Sequence, residues 1–592
     1  MKRIAIPAVI AVGLAGIAAL AVPLLVSPDL LKQRVAEGIS TATGRTVTLA
    51  GAASLSIYPH LAITIDGLTI ANPKGMGDDP FVVADKVTTR IRLLPLLTGR
   101  MELAAFELMR PRVHLITQGD GRSNWEVARN NAVGGPATTN PALGRLQIDK
   151  GTVIYDDLTD KRHEELSDVD LDLDWNTAES SGSGNGKLQW RGEAVEFNGA
   201  IANLVDFFAG RGSGVRFAIA STPLRISFNG SVLGLGRADL EGDATVSTPS
   251  LRKVVAWLGT PLGNGSILGP ASVEGRLSWH KTDVSFSKAS FSLDGNQAQG
   301  VVSVKFGGAR TAVQGTFAAA KLDLSPYFEA AGADLSANGP WPFVATRLPL
   351  ANLADCDLRL SANEALIGTV RLTGFGATGT IKDGAVAVNI GQAQVYGGKL
   401  DATVVARMDG GRLITHVRAA IDGALVQGPL KELLNIEVLS GKANASIDVN
   451  GSGATWGELA LSAAGGVAIT VADGTLAGID MKEIAARMSD PLAEPMPPSE
   501  GSVPFDKLAG TLVIANSILS TGDLTLDGQD YTAALDGRGS LLTGLVEANA
   551  TLATKADPGR TIPLAVTGTW RAPLIGPRQV SLQESGAAQP RG

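Results

Sequence analysis

Histidine and cysteine are the side chains of this chain best suited to act as nucleophiles, general bases or zinc ligands. The five histidines stand far apart, and none has a second one at HExxH or HxxxH spacing. Cys356 is the single cysteine, so neither an intramolecular disulfide nor a cysteine-based zinc cluster can form. A histidine site would therefore require folding to bring together distant members of the set His60, His114, His163, His280 and His416.

Glycine-rich stretches imitate two nucleotide-binding motifs without meeting their requirements. Gly374 to Gly379 matches GxGxxG, but a dinucleotide fingerprint needs a following helix, and Ala385 to Ile390 has the composition of a strand. We interpret these glycines as turn or bulge positions in a sheet. No P-loop and no Gly-x-Ser-x-Gly nucleophile elbow occurs either, so the sequence predicts no catalytic residue, no metal site and no cofactor.

Four aspartates at every second position have spacing that superficially resembles a calcium loop. Such a loop needs a turn glycine and a later bidentate glutamate, and apolar side chains fill the intervening positions here. On a strand, this alternation puts the carboxylates on one face and the apolar groups on the other. We therefore predict a strand with a solvated acidic face at Asp168, Asp170, Asp172 and Asp174, alternating with Val169, Leu171, Leu173 and Trp175.

The composition indicates a long chain built mainly of short strands. Its 592 residues exceed one ordinary domain, and its 71 glycines, without a collagen period, are typical of many turns. Lys plus Arg is 51 and Asp plus Glu is 58, for a net charge of -7. Without a basic excess, nucleic acid is not an expected partner.

The pattern of hydrophobic residues predicts an antiparallel meander with few helices. Nothing alternates a strand with a long helix, which argues against a parallel α/β sheet. The clearest strands are predicted at Leu55–Ile57, Leu61–Ile65, a new strand from Gly67 to Ile70, Phe81–Ile91, Met101–Leu108, Val113–Ile116, Leu146–Tyr155, Val169–Trp175, Val301–Phe306, Ala385–Ile390 and Ala445–Val449. Helices or helical turns are predicted at Leu30–Ile39, Leu93–Thr98, Leu251–Leu258, Pro429–Leu434 and Ile479–Met488, and loops or linkers at 130–142, Ser180–Gly186 and Pro491–Pro504.

The stretch Ile4–Val26 is uncharged, follows Lys2 and Arg3, and predicts a membrane anchor. A helix of this length spans roughly 34 Å, enough to cross a hydrocarbon core about 30 Å thick. The positive-inside rule would keep the basic pair in the cytoplasm and export everything after Ser27. A cleaved signal with a site at Ala19-Leu20-Ala21 is the alternative, and both interpretations export the body of the protein. The anchor would be represented by Ile4, Val12, Leu14, Leu20 and Val26.

Six short segments near the N-terminus resemble, in order, the beginning of AsmA-family proteins. They lie within about 85 residues: Thr43–Val47, Leu55–Pro59, Gly67–Pro73, Leu93–Arg100, Arg110–Val113 and Asp120–Trp125. The closing quarter resembles the same family at Val471–Asp480, Phe505–Asn516, Leu524–Leu526, Leu535–Gly539 and Ile562–Trp570. One departure is Ser517-Ile518, where the turn after Asn516 would be expected to contain glycine. Residues 180 to 420 match only in character.

The resemblance implies a long curved antiparallel sheet, a β-groove whose apolar concave face holds lipid tails. It implies an inner-membrane, single-pass protein with its body in the periplasm of a Gram-negative cell, which binds phospholipid and supports lipid transport to the outer membrane. A periplasmic or outer-membrane protein partner would complete the path. Candidate lining residues, taken from alternating strands, are Leu61, Ile63, Ile65, Val169, Leu171, Leu173, Val386, Val388, Ile447, Val449, Leu524 and Leu526.

The sequence patterns and the resemblance together divide the chain into segments. We predict an anchor (1–26), an N-terminal AsmA or chorein-like domain (27–129), a linker (130–142), a groove body (143–470), a C-terminal signature region (471–575) and a disordered tail (576–592). Two alternatives remain open: a non-enzymatic assembly factor for outer-membrane proteins with a closed core, and an exported hydrolase acting on glycan. The assembly-factor alternative requires that the apolar faces of the strands pack against each other in a closed core, whereas lipid binding requires that they form an open trough.

Overall fold

The computed structural model describes a mainly β protein. Thirty strands and seven helices are present in the described residues, and none of these helices is long and apolar enough to cross a membrane. The predicted anchor Ile4–Val26, the helical turn Leu93–Thr98 and the linker 130–142 lie outside the described residues. The structure describes residues 28–56, 61–73, 75–91, 103–120, 122–125, 144–159, 161–176, 181–208, 210–233, 239–262, 265–330, 345–348, 351–434, 437–487, 494–497 and 499–578.

The described chain divides into two compact units. Unit 1 comprises residues up to 260 with 272–281, and unit 2 comprises 261–271 with residues from 282 onward. The elements assigned mainly to unit 1 are α1 (Pro28–Thr43), β1 (Val47–Leu49), β2 (Ala53–Ser56), β3 (Ala62–Ile70), β4 (Val82–Ile91), β5 (Leu103–Met109), β6 (Arg112–Thr117), β7 (Arg145–Asp157), β8 (Arg162–Asn176), β9 (Ser181–Trp190), β10 (Glu193–Ile201), α2 (Leu204–Phe208), β11 (Gly212–Ser221), β12 (Arg225–Leu233), β13 (Asp239–Thr248), α3 (Leu251–Trp257) and β14 (Ala271–His280).

Unit 2 continues with strands that are mostly longer. Its elements are β15 (Asp283–Leu293), β16 (Asn296–Lys305), β17 (Ala312–Asp323), α4 (Ser325–Ala330), β18 (Asp355–Ile367), β19 (Val370–Lys382), β20 (Ala385–Val395), β21 (Gly398–Asp409), β22 (Arg412–Leu425), α5 (Gln427–Leu434), β23 (Leu439–Gly453), α6 (Trp456–Ser462), β24 (Ala464–Ala477), α7 (Met481–Arg487), β25 (Ser502–Ala515), β26 (Ile518–Asp527), β27 (Tyr531–Ser540), β28 (Val546–Thr554), β29 (Asp557–Thr569) and β30 (Ala572–Pro577).

Strand pairing follows chain order from β7 to β13 and from β15 to β30, as a meander predicts, and three pairings are parallel. At the start of unit 1 the order differs, because β1 and β2 both pair with β3, and β4 pairs with both β5 and β6. In unit 1, β5 and β6 both pair in parallel with β7, and in unit 2 β17 pairs in parallel with β18. A parallel pair needs a long crossover connection, and residues 118–144 and 324–354 supply connections of that length. The other pairings of consecutive strands in unit 2 are antiparallel.

The prediction of a loop at Ser180–Gly186 is wrong, because Ser181 to Trp190 forms strand β9. Its alternating glycines lie on the face where neighbouring strands place bulky side chains. A Cβ atom on Gly184 would lie 2.4 Å from Leu173 Cδ2, and one on Gly186 would lie 2.4 Å from the Asp170 carbonyl oxygen. The alternation of glycine with polar residues is therefore a strand pattern in which glycine makes room for its neighbours.

Other sequence predictions need smaller corrections. Gly67 does not begin a new strand but lies inside β3 with φ of 72°. The loop predicted to end at Pro504 ends before Ser502, where β25 begins, and residues 576 and 577 of the predicted tail belong to β30. Gly374 (φ 57°) lies within β19 where its register with β20 shifts, so the GxGxxG stretch contains a bulge, as predicted.

The turn after Asn516 forms without glycine. Asn516 and Ser517 both adopt positive φ, 52° and 61°, between the antiparallel strands β25 and β26. Positive φ at both central positions is typical of a type I′ hairpin turn. The departure from the family pattern therefore leaves the hairpin intact.

Helix α1 closes a core at the beginning of unit 1. Val35 is fully buried against β3 and β4, together with Leu61, Ile63, Ile65 and Val87. The helical spacing predicted for Leu30–Ile39 is confirmed, and the helix is longer than predicted. The apolar stripe of α1 covers one face of β3.

Three of the segments that carry the family resemblance meet at Asn124, whose side chain is fully buried. Asn124 Nδ2 donates to Asn72 Oδ1 (2.9 Å) and to the His114 carbonyl oxygen (2.7 Å), and its Oδ1 accepts from the Ile116 N–H (2.9 Å). Arg45 donates to the backbone carbonyl of Asn124 and stacks over the Phe81 ring at 3.9 Å. These segments therefore build the first domain by satisfying each other's buried polar groups.

Asp156 connects two histidines in unit 1. His114 Nε2 lies 2.7 Å from Asp156 Oδ2, and His163 Nδ1 lies 2.6 Å from Asp156 Oδ1. The hydrogen bond from His163, and to a lesser extent the one from His114, lowers the pKa of Asp156. The same bond to Asp156 raises the pKa of His163, with smaller contributions from Glu165 and Glu164. The histidines thus belong to an ion-pair cluster on the sheet.

This cluster predicts a pH-dependent stability. The raised pKa of His163 gives stabilisation that is present below about pH 6.5 and is lost as the pH rises through the folded pKa. The lowered pKa of Asp156 gives stabilisation that is present above about pH 4 and is lost as the pH falls through its folded pKa. We expect Asp156→Asn to lower the urea midpoint more at about pH 5.5 than at about pH 8.

The control for this measurement is Asp243→Asn, an exposed aspartate on β13 of the same unit. Its effect on the midpoint is expected to be the same at both pH values. An equal loss of stability at both pH values for Asp156→Asn would contradict the prediction.

Candidate functional site

The apolar face of unit 2 carries an unbroken row of aliphatic side chains and glycines across thirteen strands. Residues opposite each other in neighbouring strands point to the same face of a sheet. The partners from β16 to β28, here called the central row, are Val302, Gly315, Leu358, Gly379, Val388, Val404, Val417, Val449, Gly465, Ile514, Leu519, Gly539 and Val546.

The central row is only partly covered. Apart from Gly315, every member is half-buried, including the large side chains Leu358 and Ile514. A second sheet packed face to face would bury such positions completely. In the part of unit 2 that the structure describes, every paired strand belongs to the meander itself, so no second sheet packs on the central row there and its side chains stay partly exposed.

The opposite face is polar, so the sheet is amphipathic. The adjacent register row there contains Arg359, Thr378, Asn389, Thr403, Arg418 and Asp448. Arg418 Nε donates to Asp448 Oδ2 (3.0 Å), and His416 Nε2 lies 2.7 Å from Asp448 Oδ1. These bonds help to lower the pKa of Asp448 and are typical of a solvated strand face.

Helices α5 and α7 cover one end of the unit 2 strands. Ile484 of α7 is 3% exposed and packs with Val471, Val503 and Phe505, and Leu430 of α5 packs against the same cluster. The helix prediction at Ile479–Met488 is thus confirmed, with α7 beginning at Met481. Helices α5 and α7 therefore wall one side of the apolar face, and α6 packs against Gly451 and Gly453 at the other end of β23.

Beneath these helices lies a cavity of about 440 Å³, here called the C-terminal cavity. That volume falls within the range of small-molecule pockets, and its walls are almost entirely hydrocarbon. Its lining includes both residues predicted on β26, Leu524 and Leu526, together with Met481, Ile484, Leu535, Leu552, Val566, Trp570, Pro573 and Ile575. Such a wall can bury an alkyl chain and offers little to a charged ligand.

The Tyr531 hydroxyl at the cavity is bonded within the protein. The Tyr531 hydroxyl donates to the Pro504 carbonyl oxygen, and burial raises the pKa of Tyr531. A tyrosine held in this way supplies ring surface to the cavity and keeps its hydroxyl satisfied.

Unit 1 has an apolar cavity of its own, about 490 Å³ in volume. It is lined by Leu173, Trp175, Phe197, Phe217 and the helix residue Leu204, and glycines of β9 and β10 hollow its floor. Leu173 is among the predicted lining residues, whereas α2 above it was not predicted. Each unit thus has a mainly hydrocarbon cavity on its sheet.

The structure separates the predicted lining residues into four groups, of which the first is the pair Leu524 and Leu526 in the C-terminal cavity. Val388 and Val449 lie in the central row, and Val386 and Ile447 lie in the rows next to it. Val169, Leu171 and Leu173 follow one another on β8, where Val169 is buried and the other two are half-buried. Leu61, Ile63 and Ile65 are enclosed in the core under α1, so these three do not face an open surface.

Several cavity residues were not predicted from the sequence. Trp570 and Tyr531 had no lining role assigned, although Trp570 ends a segment that resembles the family. Ile484 belongs to a helix that was predicted, but the spacing of residues within the helix does not indicate which strands the helix packs against. The alternation that identified Leu524 and Leu526 also marks Ala533 and Leu535 on β27.

Two of the four aspartates of β8 form ion pairs, Asp170 with Lys187 (3.3 Å) and Asp172 with Arg145. The Lys150 N–H, which donates to Asp170 Oδ1 (2.9 Å), and then Lys187 lower the pKa of Asp170, and the bond from Arg145 lowers the pKa of Asp172. Asp168 has φ of 48° and lies where the register with β9 shifts. Among the described residues, no group of three or more His, Cys, Asp or Glu side chains could hold a metal ion.

Comparison with known proteins gives one family. Residues 1–215 and 312–524 match the AsmA family, well over half of the chain. The resemblance of residues 525–575 lies beyond this match. A search of curated proteins and a search of solved structures each return no match.

Proposed function

The chain belongs to the AsmA family, and from this premise we propose that it binds phospholipid tails on its apolar sheet face and supports lipid transport to the outer membrane. The observation that carries the proposal is the half-buried central row, which continues from β16 to β28 without a charged residue. Each buried CH₂ contributes about 0.8 kcal/mol, so an acyl chain gains by lying along the row. No covalent step is involved.

The proposed location follows from the N-terminal segment. Ile4–Val26 would anchor the chain in the inner membrane with the body in the periplasm, and α1 begins directly after that segment at Pro28. A retained anchor would hold the trough beside a bilayer that supplies lipid. A periplasmic or outer-membrane partner would receive lipid at the far side.

The polar face supports the same proposal. A lipid trough in a watery compartment needs an outer surface that stays in solution, and the row with Arg418 and Asp448 provides charged, exposed side chains. Antiparallel sheets commonly keep one face in solvent in this way.

Cys356 offers a test with the native chain. It is half-buried, in the row next to the central row, opposite Val313 and Ile381, and burial raises the pKa of its thiol. We expect phospholipid to co-purify with the protein and to slow alkylation of Cys356 by a maleimide at least about tenfold relative to delipidated protein. The maleimide must displace the bound acyl chain to reach the thiol, and losing contact with about two CH₂ groups lowers the alkylation rate by that factor.

The matched control is Val405→Cys in a Cys356→Ser chain. Val405 lies on the polar face at 41% exposure, so lipid should leave its alkylation unchanged. A well-folded protein that yields no phospholipid, with equal alkylation of Cys356 in both states, would favour the assembly-factor alternative.

A further inference from the structure

The C-terminal cavity extends between the two ends of the strands that line it. Tyr531 begins β27 at one end, where its hydroxyl donates to the Pro504 carbonyl oxygen. Trp570 lies in the turn between β29 and β30 at the other end, where its N–H donates to the Gly544 carbonyl oxygen (3.0 Å). Both aromatic rings line the cavity. A ligand that fills the cavity therefore lies along the strands, whereas the central row crosses them.

The cavity has walls on two sides that are held in place. On one side, the buried side chain of Ile484 belongs to α7. On the other side, Ile575 of β30 exchanges two backbone hydrogen bonds with Met496, of 2.8 and 2.9 Å. Pro495 packs beside Gly576, where a Cβ atom would come within 3.1 Å of Pro495 Cα. Because backbone bonds and close packing hold these walls, the volume between them is defined.

The volume of the cavity corresponds to one alkyl chain. A CH₂ group takes up roughly as much space as a water molecule in the liquid, about 30 Å³, so 440 Å³ holds about fifteen of them. A second chain of that length does not fit beside the first. Water is a poor occupant, because a buried water needs about three hydrogen-bond partners. Of the described residues that line the cavity, only Tyr531 and Trp570 carry a side-chain N–H or O–H group.

The lining offers nothing that recognises the polar head of a ligand. Among the described residues that line the cavity, no side chain is charged. A phosphate, an amine or a carboxylate placed there would lose its hydration without gaining a partner. The head of an amphiphile must therefore stay outside, whatever its chemistry. The cavity can distinguish ligands only by the number and length of their alkyl chains.

We propose that the C-terminal cavity binds one unbranched alkyl chain along the strands and limits its length to about fifteen carbons. The ligand class is a single-chain amphiphile, for which a free fatty acid and a lysophospholipid are the two sources. The presence of such chains at the sheet rests on the proposed function, whereas the length limit rests on the cavity alone.

The test uses the delipidated full chain, kept soluble by an amphipathic polymer because detergent chains would compete. A brominated fatty acid is expected to quench the part of the tryptophan fluorescence that Trp570→Phe removes. Unbrominated saturated acids then compete, and their affinity should rise about fourfold per CH₂ up to about fifteen carbons and no further. Lysophosphatidylethanolamines should show the same limit, because the head group stays outside.

A matched pair of variants moves the limit in opposite directions. Ala550 and Leu552 lie on the same face of β28 and both line the cavity. Ala550→Leu fills space and should shorten the limit by about three carbons, whereas Leu552→Ala frees space and should lengthen it by about three. The two changes combined should restore the parent limit. Ala534→Leu, at an exposed position of β27, is the control and should leave the limit unchanged.

The outcomes separate this proposal from the proposed function. An affinity that rises without a limit, a limit that stays in place in Ala550→Leu, or no quenching of Trp570 overturns the proposal. Different limits for the acids and the lysophospholipids also overturn it, since the head would then enter the cavity. A limit that shifts as expected supports it even if no phospholipid co-purifies. In that case the proposed function fails and the length limit stands.

Discussion

Val388→Asp combined with Val417→Asp is expected to leave the protein folded and to remove its phospholipid. The two valines lie on the central row, separated by Val404, and both are half-buried. Water already reaches these positions, so the carboxylates stay hydrated and the fold avoids the roughly 3–5 kcal/mol cost of an unpaired buried charge. Excluding about four CH₂ groups from the row would weaken lipid binding by about 3 kcal/mol, or roughly a hundredfold.

The measurement is the molar ratio of phospholipid to protein by mass spectrometry, with circular dichroism of the same sample. Val405→Asp places one carboxylate on the polar face of β21 and is expected to keep the lipid. Unfolding of the double variant would show that the row is a closed core, because only buried charge destabilises so strongly. Retention of lipid by a folded double variant would place the lipid elsewhere.

The amphipathic sheet could be predicted because its signal is local. Val386, Val388 and Ile390 occupy every second position of β20, with the smaller Ala387 and the polar Asn389 between them, and this period alone assigns them to one face. The same reasoning identified Ile447 and Val449 on β23, and the structure joins them into neighbouring rows. Alternation fixes which side chains share a face, but not what covers that face.

Coverage is a tertiary property, and there the sequence prediction is incomplete. Ile63 alternates as cleanly as Val388, yet Val35 of α1 packs with it in a closed core. The parallel pairing of β17 with β18 likewise depends on where a long connection returns the chain. In β9, turn-like composition concealed a strand, because Gly184 and Gly186 make room for side chains of neighbouring strands.

The cavity shows the same division between local and distant information. Leu524 and Leu526 were predicted from their spacing on one strand. Ile484 lies over the same cavity because the connection between β24 and β25 contains helix α7. An adjacent antiparallel pair can be joined by a two-residue turn, so a connection this long implies a further role. Here that role is to enclose hydrocarbon.

Asn124→Ala is expected to lower the free energy of unfolding of unit 1 by about 3–5 kcal/mol. The amide of Asn124 is completely buried and satisfies three partners, so truncation leaves the Ile116 N–H and the His114 carbonyl without it. Each buried polar group left unpaired costs about 1–3 kcal/mol. Asn72 also loses its contact, which connects two of the segments that identify the family.

Urea unfolding followed by tryptophan fluorescence measures the effect, because Trp125 is the next residue and contacts Tyr155. Asn389→Ala is the control, since within the described residues that exposed amide bonds only the Thr403 hydroxyl, and its cost should stay within about 0.5 kcal/mol. Equal urea midpoints for Asn124→Ala and Asn389→Ala would mean that water replaces the hydrogen bonds of the lost Asn124 amide. A large difference would mean that the buried hydrogen bonds of Asn124 hold these segments of unit 1 together.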